Sequence, residues 1–375
     1  MNIPRQYGSR FLAALAVAAL AAALPLARTS AQQTSTQQAP AKQQSPNGKI
    51  VFQSTQGGDG FINDIFVMDA DGKHQTRLTD TPTFDEVVPV WSPAGNQIVF
   101  QTDRGGNGYE LYLMNADGSS QRPLRSAANG GPVTGSSVEW SPDGTRIAYS
   151  DGHDVYVIEV VAPGGGDSTA APFSVSAEKA ATTSDIEAAW SPSGHQLVVR
   201  NAIPNCSGCT DLYTVNADSS PGRVHLATGP GFDVHARWSP SGTLVAYEGD
   251  RGGRGIYVTN ADGTGAETKV SGAAGSFGTV EWAPDGTRLA FKSANSGVYV
   301  VNPDGSGLTL LTDLPADGGG DIFWSPDGAK VAFHNSGGST VDLYVVASDG
   351  SSRKAANYTK TKRDDEFACS WQRLQ

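Results

Sequence analysis

The pentapeptide Trp-Ser-Pro-Asp-Gly stands at Trp140–Gly144 and again at Trp324–Gly328. It recurs as WSPAG from Trp91, as WSPSG from Trp190 and Trp238, and as WAPDG from Trp282; a degenerate seventh copy, CSWQ, surrounds Trp371. All seven tryptophans of the chain belong to this motif, at intervals of 49, 50, 48, 44, 42 and 47 residues. One supersecondary unit of that length cannot bury its own apolar face, so a period in the forties demands that units stack on one another. Each unit carries four short strand signals bounded by turn residues. Strand a leads into the Trp, as in VVPVW ending at Trp91; strand b follows the turn, as in RIAY at Arg146 to Tyr149. Strand c is the most regular, from DIFVMDADG at Asp64 to DLYVVASDG at Asp342, and strand d is short, as in LTLLT at Leu308 to Thr312.

The ends of the repeat array complement each other. KIVF at Lys49 to Phe52 has no Trp-bearing strand before it, and FACSW at Phe367 to Trp371 has no b, c and d strands after it. Pairing them closes a ring and removes both exposed edges. The expected fold is therefore all-β: a seven-bladed propeller of four-stranded antiparallel blades, closed by the C-terminal strand on the N-terminal blade, with six blades as the alternative count. The turns fit, since Pro presets the first dihedral of SPDG and Gly supplies a positive one. DADG at Asp69 to Gly72 reads as a turn rather than a calcium loop, because the distal bidentate Glu is missing.

Ahead of the array, residues 1–31 read as a signal peptide: Arg5 and Arg10 precede a 16-residue apolar run from Phe11 to Leu26, and Thr29, Ser30 and Ala31 offer a cleavage site. The run is short for a membrane span, so no stable membrane insertion is expected. Residues 32–47 are Gln, Ser, Thr, Pro and Ala with almost no large apolar side chain, a disordered linker by composition. The propeller takes 48–375, and the location is periplasmic or secreted.

WSPDG followed by a short b strand and a LYLMNADG-type c strand resembles the TolB-like propeller repeat family, over nearly all of residues 48–375. The resemblance implies a propeller and an extracytoplasmic binding role; in TolB itself it implies six blades behind an α/β domain and work in the Tol-Pal envelope system. This chain has seven repeats and a polar spacer in that domain's place. Similar repeats precede the catalytic domain of some serine peptidases, but no Gly-x-Ser-x-Gly elbow occurs here.

Strand a should line the axis, so its side chains decide what the channel is. Counting back from each Trp, positions 2 and 4 are mostly apolar, as in Pro89 and Val87 or Cys369 and Phe367. Positions 1, 3 and 5 carry Glu86, Glu139, Asp185, Glu187, Asp233, His235, Arg237, Glu281, Asp321 and Glu366. By simple alternation, Glu86, Asp185, Asp233 and Glu366 gather at one mouth, among the variable b–c and d–a loops. Glu187, His235, Arg237 and Asp321 complete the candidate ligand-binding set. The opposite face has only uniform tight turns. Clustered carboxylates favour a cation or a basic segment; the plainer alternative is a water-filled channel with solvated acids. Asp233 and His235 have no nucleophile beside them, so no catalytic residue is assigned and the chain reads as a non-enzyme.

The net charge is −11, and −14 without the three arginines of residues 1–31. That balance argues against nucleic acid and anionic lipid. Cys206 and Cys209, in CSGC, are expected to form a disulfide outside the cytoplasm, and Cys369 to be a buried thiol. The expected function is an exported binding or scaffold protein, a monomer that recognises a protein, peptide or envelope component through the acidic loop face. No cofactor is assigned, with room for a divalent cation such as calcium. The alternative is a cation-dependent lyase or hydrolase acting on a carbohydrate or peptide.

Overall fold

A computed structural model describes residues 47–375, apart from 57–61, 107, 125–132, 134–136, 161–170, 181–182, 207, 228–230, 272–276, 294–296, 315–320, 336–339, 361–364 and 374–375. The signal peptide and nearly all of the linker read from the sequence lie outside the described residues, as does the side chain of Cys369.

Among the described residues the chain forms seven separate four-stranded antiparallel sheets. Their inner strands, each ending at or just past a Trp, are Glu86–Trp91, Val138–Trp140, Ser184–Trp190, Asp233–Trp238, Phe277–Trp282, Ile322–Trp324 and Glu366–Arg373. The last belongs to blade 1, where it pairs with Asn47–Ser54, ahead of Asp64–Met68 and Thr76–Arg77. Blades 2 to 7 then follow in chain order. In blade 1, Ile50 stands opposite Trp371 and Ser54 opposite Glu366, so ring closure by the two chain ends is as the repeat pattern demands. The sequence Ser45–Gly48 reads SPNG. It is the repeat's own turn motif without its Trp, which marks where the repeat has been cut.

Each Trp packs between its blade and the one before. Trp140 is buried with Val99, Leu111 and Leu113 of blade 2 and with Ile147, Tyr149 and Ile158 of blade 3. Removing such an indole costs about 3–5 kcal/mol. Five of the indole Nε1 groups also donate to the backbone carbonyl of the residue preceding the neighbouring blade's Trp. Trp140 reaches Val90 O at 3.2 Å, Trp190 Glu139 O at 3.2 Å, Trp238 Ala189 O at 3.2 Å, Trp282 Arg237 O at 3.0 Å and Trp324 Glu281 O at 3.1 Å.

The turns explain the motif's other letters. Gly144 N–H donates to Ser141 O at 2.9 Å, Arg146 N–H donates to Ser141 Oγ at 2.9 Å, and Ser141 Oγ–H donates to Asp143 Oδ1 at 2.6 Å. Those hydrogen bonds, from Ser141 first and then Thr145, outweigh desolvation and hold Asp143 at about 2. The NADG turns work alike: Asp117, Asp218, Asp262 and Asp304 each accept the N–H and hydroxyl of the residue two further on, and all are held below the usual carboxylate range.

Candidate functional site: the axial channel

Strict alternation fails in the inner strands because of a bulge. In blade 2 the ladder runs Glu86 with Thr102 and Val87 with Gln101, then skips to Val90 with Val99 and Trp91 with Ile98. Two residues therefore face one partner, and parity reverses below the bulge. Glu86 shares the Trp91 side of the sheet instead of opposing it. The same shift occurs between Asp185 and Glu187, between Val234 and Arg237, and at Phe52/Gln53 opposite Cys369 and Phe367.

The consequence corrects the placement of four candidates. Glu86, Asp185, Asp233 and Glu366 are all 0 % exposed, and they do not form an open acidic mouth. Each is held by its own blade or its neighbour. Arg104 Nε donates to Glu86 Oε1 at 2.9 Å, alongside Thr81 Oγ1 at 2.6 Å. Arg223 grips Asp185 with two bonds of 2.9 Å, and Asn201 adds a third at 2.7 Å. Arg251 pairs with Asp233, and Ser54 Oγ donates to Glu366 at 3.1 Å. Burial pushes the Glu86 carboxyl up, against the Thr81 hydrogen bond and the Arg104 charge.

The other four candidates do come together around the axis. Glu187 lies 3.5 Å from Arg200 Nε and accepts the His235 backbone N–H at 3.2 Å. His235 sits in the bulge with φ +56°, its Nδ1 3.6 Å from Glu248, which in turn accepts Arg254 Nε at 2.8 Å. Arg237 Nε is 3.4 Å from Glu281. Asp321 adds its charge to the same group, since it raises both Arg237 and Glu281. Arg200, Glu248, Lys292 and His334 occupy one repeat position on strand b, ten residues after each Trp, where alternation along strand a gives no signal. Lys292 and His334 are fully buried there. Desolvation, with the Lys292 charge second, drives the His334 imidazole down to about 3.

The cavity itself opens at the end of the SPDG turns, the face expected to be featureless. Its volume is ≈ 510 Å³, and its wall contains all seven tryptophans and six motif prolines. The residue preceding each Trp forms its floor: Val90, Glu139, Ala189, Arg237, Glu281, Phe323 and Ser370, with Arg373 above. Charge in the floor is confined to blades 3, 5 and 6, while blades 7, 1 and 2 offer Phe323, Ser370 and Val90; Arg373 adds one charge from blade 1 above it. Enclosure pushes Glu281 up to about 7, with Glu139 and Asp321 adding to the effect and Arg237 and Arg373 opposing it. Desolvation raises Glu139 as well.

Cys206 and Cys209 are bonded to each other, Cα atoms 5.4 Å apart, in the b–c loop of blade 4. Among the described residues no three His, Cys, Asp or Glu side chains converge as a ligand set for a metal ion, and no helix is long and apolar enough to cross a membrane.

The chain belongs to the TolB beta propeller domain family, whose model matches residues 15–184 and 108–365. Its ring is similar to the structure of a putative TolB from Agrobacterium tumefaciens: 18 % identity, TM-score 0.52, 80 % of this chain and 98 % of that one. It is similar too to an oligogalacturonate lyase from Vibrio parahaemolyticus, at 13 % identity and TM-score 0.59 over 84 % and 86 % of the two chains. A puromycin-hydrolyzing peptidase of Mycobacterium tuberculosis matches at 16 % identity and TM-score 0.63, over 84 % of this chain and 51 % of that one. These likenesses show the fold. A peptidase described as uncharacterized, YuxL of Bacillus subtilis, is 39 % identical over 59 residues, so the chain spans only 8 % of that relative's length.

Proposed function

We propose that this chain is an exported, non-catalytic binding protein that recognises a component of the cell envelope, a protein or peptide first, through the axial channel of its propeller. The observation that carries the reading is the vestibule of ≈ 510 Å³ at the turn end, walled by one Trp from every blade. Its rigid aromatic and proline wall with a few charged groups is the composition of a recognition pocket. The charged side chains around the axis are paired in ion pairs or ringed by opposite charge, as with Arg237 between Glu281 and Glu139. Such pairing suits binding better than proton transfer. The signal-like residues 1–31 and the acidic balance favour a periplasmic or secreted location.

Affinity capture from the envelope fraction of the source organism tests this, with residues 32–375 as bait beside an Arg237→Ala, Glu281→Gln double variant. A component enriched by the first bait and lost from the second is expected. Equal enrichment by both would place recognition elsewhere on the ring and overturn the channel reading.

A second reading, a cation-dependent lyase, draws support from the similarity to an oligogalacturonate lyase described in complex with manganese. Turnover of oligogalacturonate that chelator abolishes would favour it over the binding role.

A further inference from the structure

Among the seven copies of the turn motif, the one in the closing blade is the degenerate one. There the motif's Pro position, two residues after Trp371, is Arg373. Arg373 is exposed and lines the vestibule, and its guanidinium has no hydrogen-bond or ion-pair partner among the described residues. The indole hydrogen bonds fail at the same place. Five tryptophans donate Nε1–H to a floor carbonyl, but Trp371 of the closing strand and Trp91 of the next blade do not. Both are more than nine-tenths buried, at 5 % and 8 % exposure, and both line the vestibule. Those two indole N–H groups are themselves buried, so at the seam it is Arg373 that offers donors to the vestibule. The floor next to it is apolar, with Val90, Phe323 and the rings of Pro93 and Pro326.

Resting on the channel reading above, we infer that the vestibule takes an apolar carboxylate, its anionic head on Arg373 at the seam and its body against Val90, Phe323 and the proline rings. An acceptor at this point would give the exposed Arg373 guanidinium a hydrogen-bond partner, and charge-assisted hydrogen bonds of that kind are the strong ones. The apolar body would cover the half of the floor that carries no charge. A cationic head would instead have to seat beside Glu139 and Glu281, whose charge Arg237 and Arg373 already oppose.

Because all seven tryptophans wall the vestibule, intrinsic fluorescence reports its occupancy. Residues 32–375 would be titrated with phenylacetate, 2-phenylethanol and 2-phenylethylamine, which share one ring and differ in the head group. Saturable binding of phenylacetate is expected, at least about tenfold tighter than the alcohol or the amine. Arg373→Ala should remove that preference, and Arg373→Lys should restore part of it. Affinity should rise as pH falls from 8 to 6, since Glu281, pushed up to about 7, then carries less negative charge. Equal affinity for the three probes, tighter binding of the amine, no binding of phenylacetate, or an unchanged preference in Arg373→Ala would each overturn the inference. The channel reading would survive that failure if the capture bait still lost its partner through Arg237 and Glu281, because Arg373 is intact in both baits.

Discussion

Buried charge is where pH enters this molecule, through two side chains of opposite sign. His334 titrates at about 3 in the folded chain, against 6.5 for a free imidazole, because it is desolvated and faces Lys292. The unfolded chain therefore binds a proton that the folded chain refuses. Stability from this group is complete above about pH 6.5 and is lost as pH falls toward 3. Glu281 behaves inversely: its folded value of about 7 lies above 4.5, so its contribution is present below pH 4.5 and is lost as pH rises through 7. Urea midpoints measured between pH 4 and 8 should show His334→Gln flattening the acid limb and Glu281→Gln the neutral one. A larger effect is expected from Arg223→Ala. It leaves Asp185 at 0 % exposure with only Asn201 beside it, and an orphaned buried charge costs about 3–5 kcal/mol. A urea midpoint equal to that of the unaltered protein would show that Asp185 has found water or another partner. None of these partners was legible in the sequence. Arg223 lies 38 positions from Asp185, and it reaches the acid only because the bulge between Asp185 and Glu187 turns that carboxylate into the blade. Alternation along one strand cannot reveal a bulge that exists only relative to the partner strand.

At the scale of strands and turns the sequence was far more informative, because the chemistry is local. The SPDG and NADG turns name their own hydrogen bonds within five residues, and the c strands are uniform enough to be aligned by eye. The weakest elements, the d strands, shrink to two residues in blades 1, 2, 3, 5 and 7. Two turn glycines separate backbone strain from crowding. Gly144 has φ +71°, and an added methyl would meet only Pro93 at 3.6 Å. Gly118 has φ +84°, but there the methyl would lie 2.9 Å from the Leu78 carbonyl oxygen, which cannot swing aside. Gly144→Ala should cost about 1–2 kcal/mol, the left-handed penalty alone. Gly118→Ala should cost clearly more, since a backbone shift is added to the same penalty. Thermal denaturation of the two variants side by side checks the order; equal losses would show that the blade 1 edge yields freely.

On the scale of the whole ring, the count of seven and the closing partner followed from the period and from the mismatched ends. The vestibule did not, because it is a property of seven turns meeting at an axis and of no single repeat. Deleting residues 366–375 should leave Asn47–Ser54 as a bare inner edge and make the rings associate, visible as species larger than those of the unaltered protein by size-exclusion chromatography. A synthetic peptide of residues 364–375 should restore the elution of the unaltered protein, and failure to do so would mean that closure must be intramolecular. The blade built from both ends also sets a timetable. Ile50 and its partner Trp371 are separated by the synthesis of nearly the whole ring, roughly 15–60 s at about 5–20 residues per second. Throughout that interval the first blade lacks its inner strand, and the last strand to be made is the one that completes it. The ring therefore cannot close until the strand that carries Trp371 has been made.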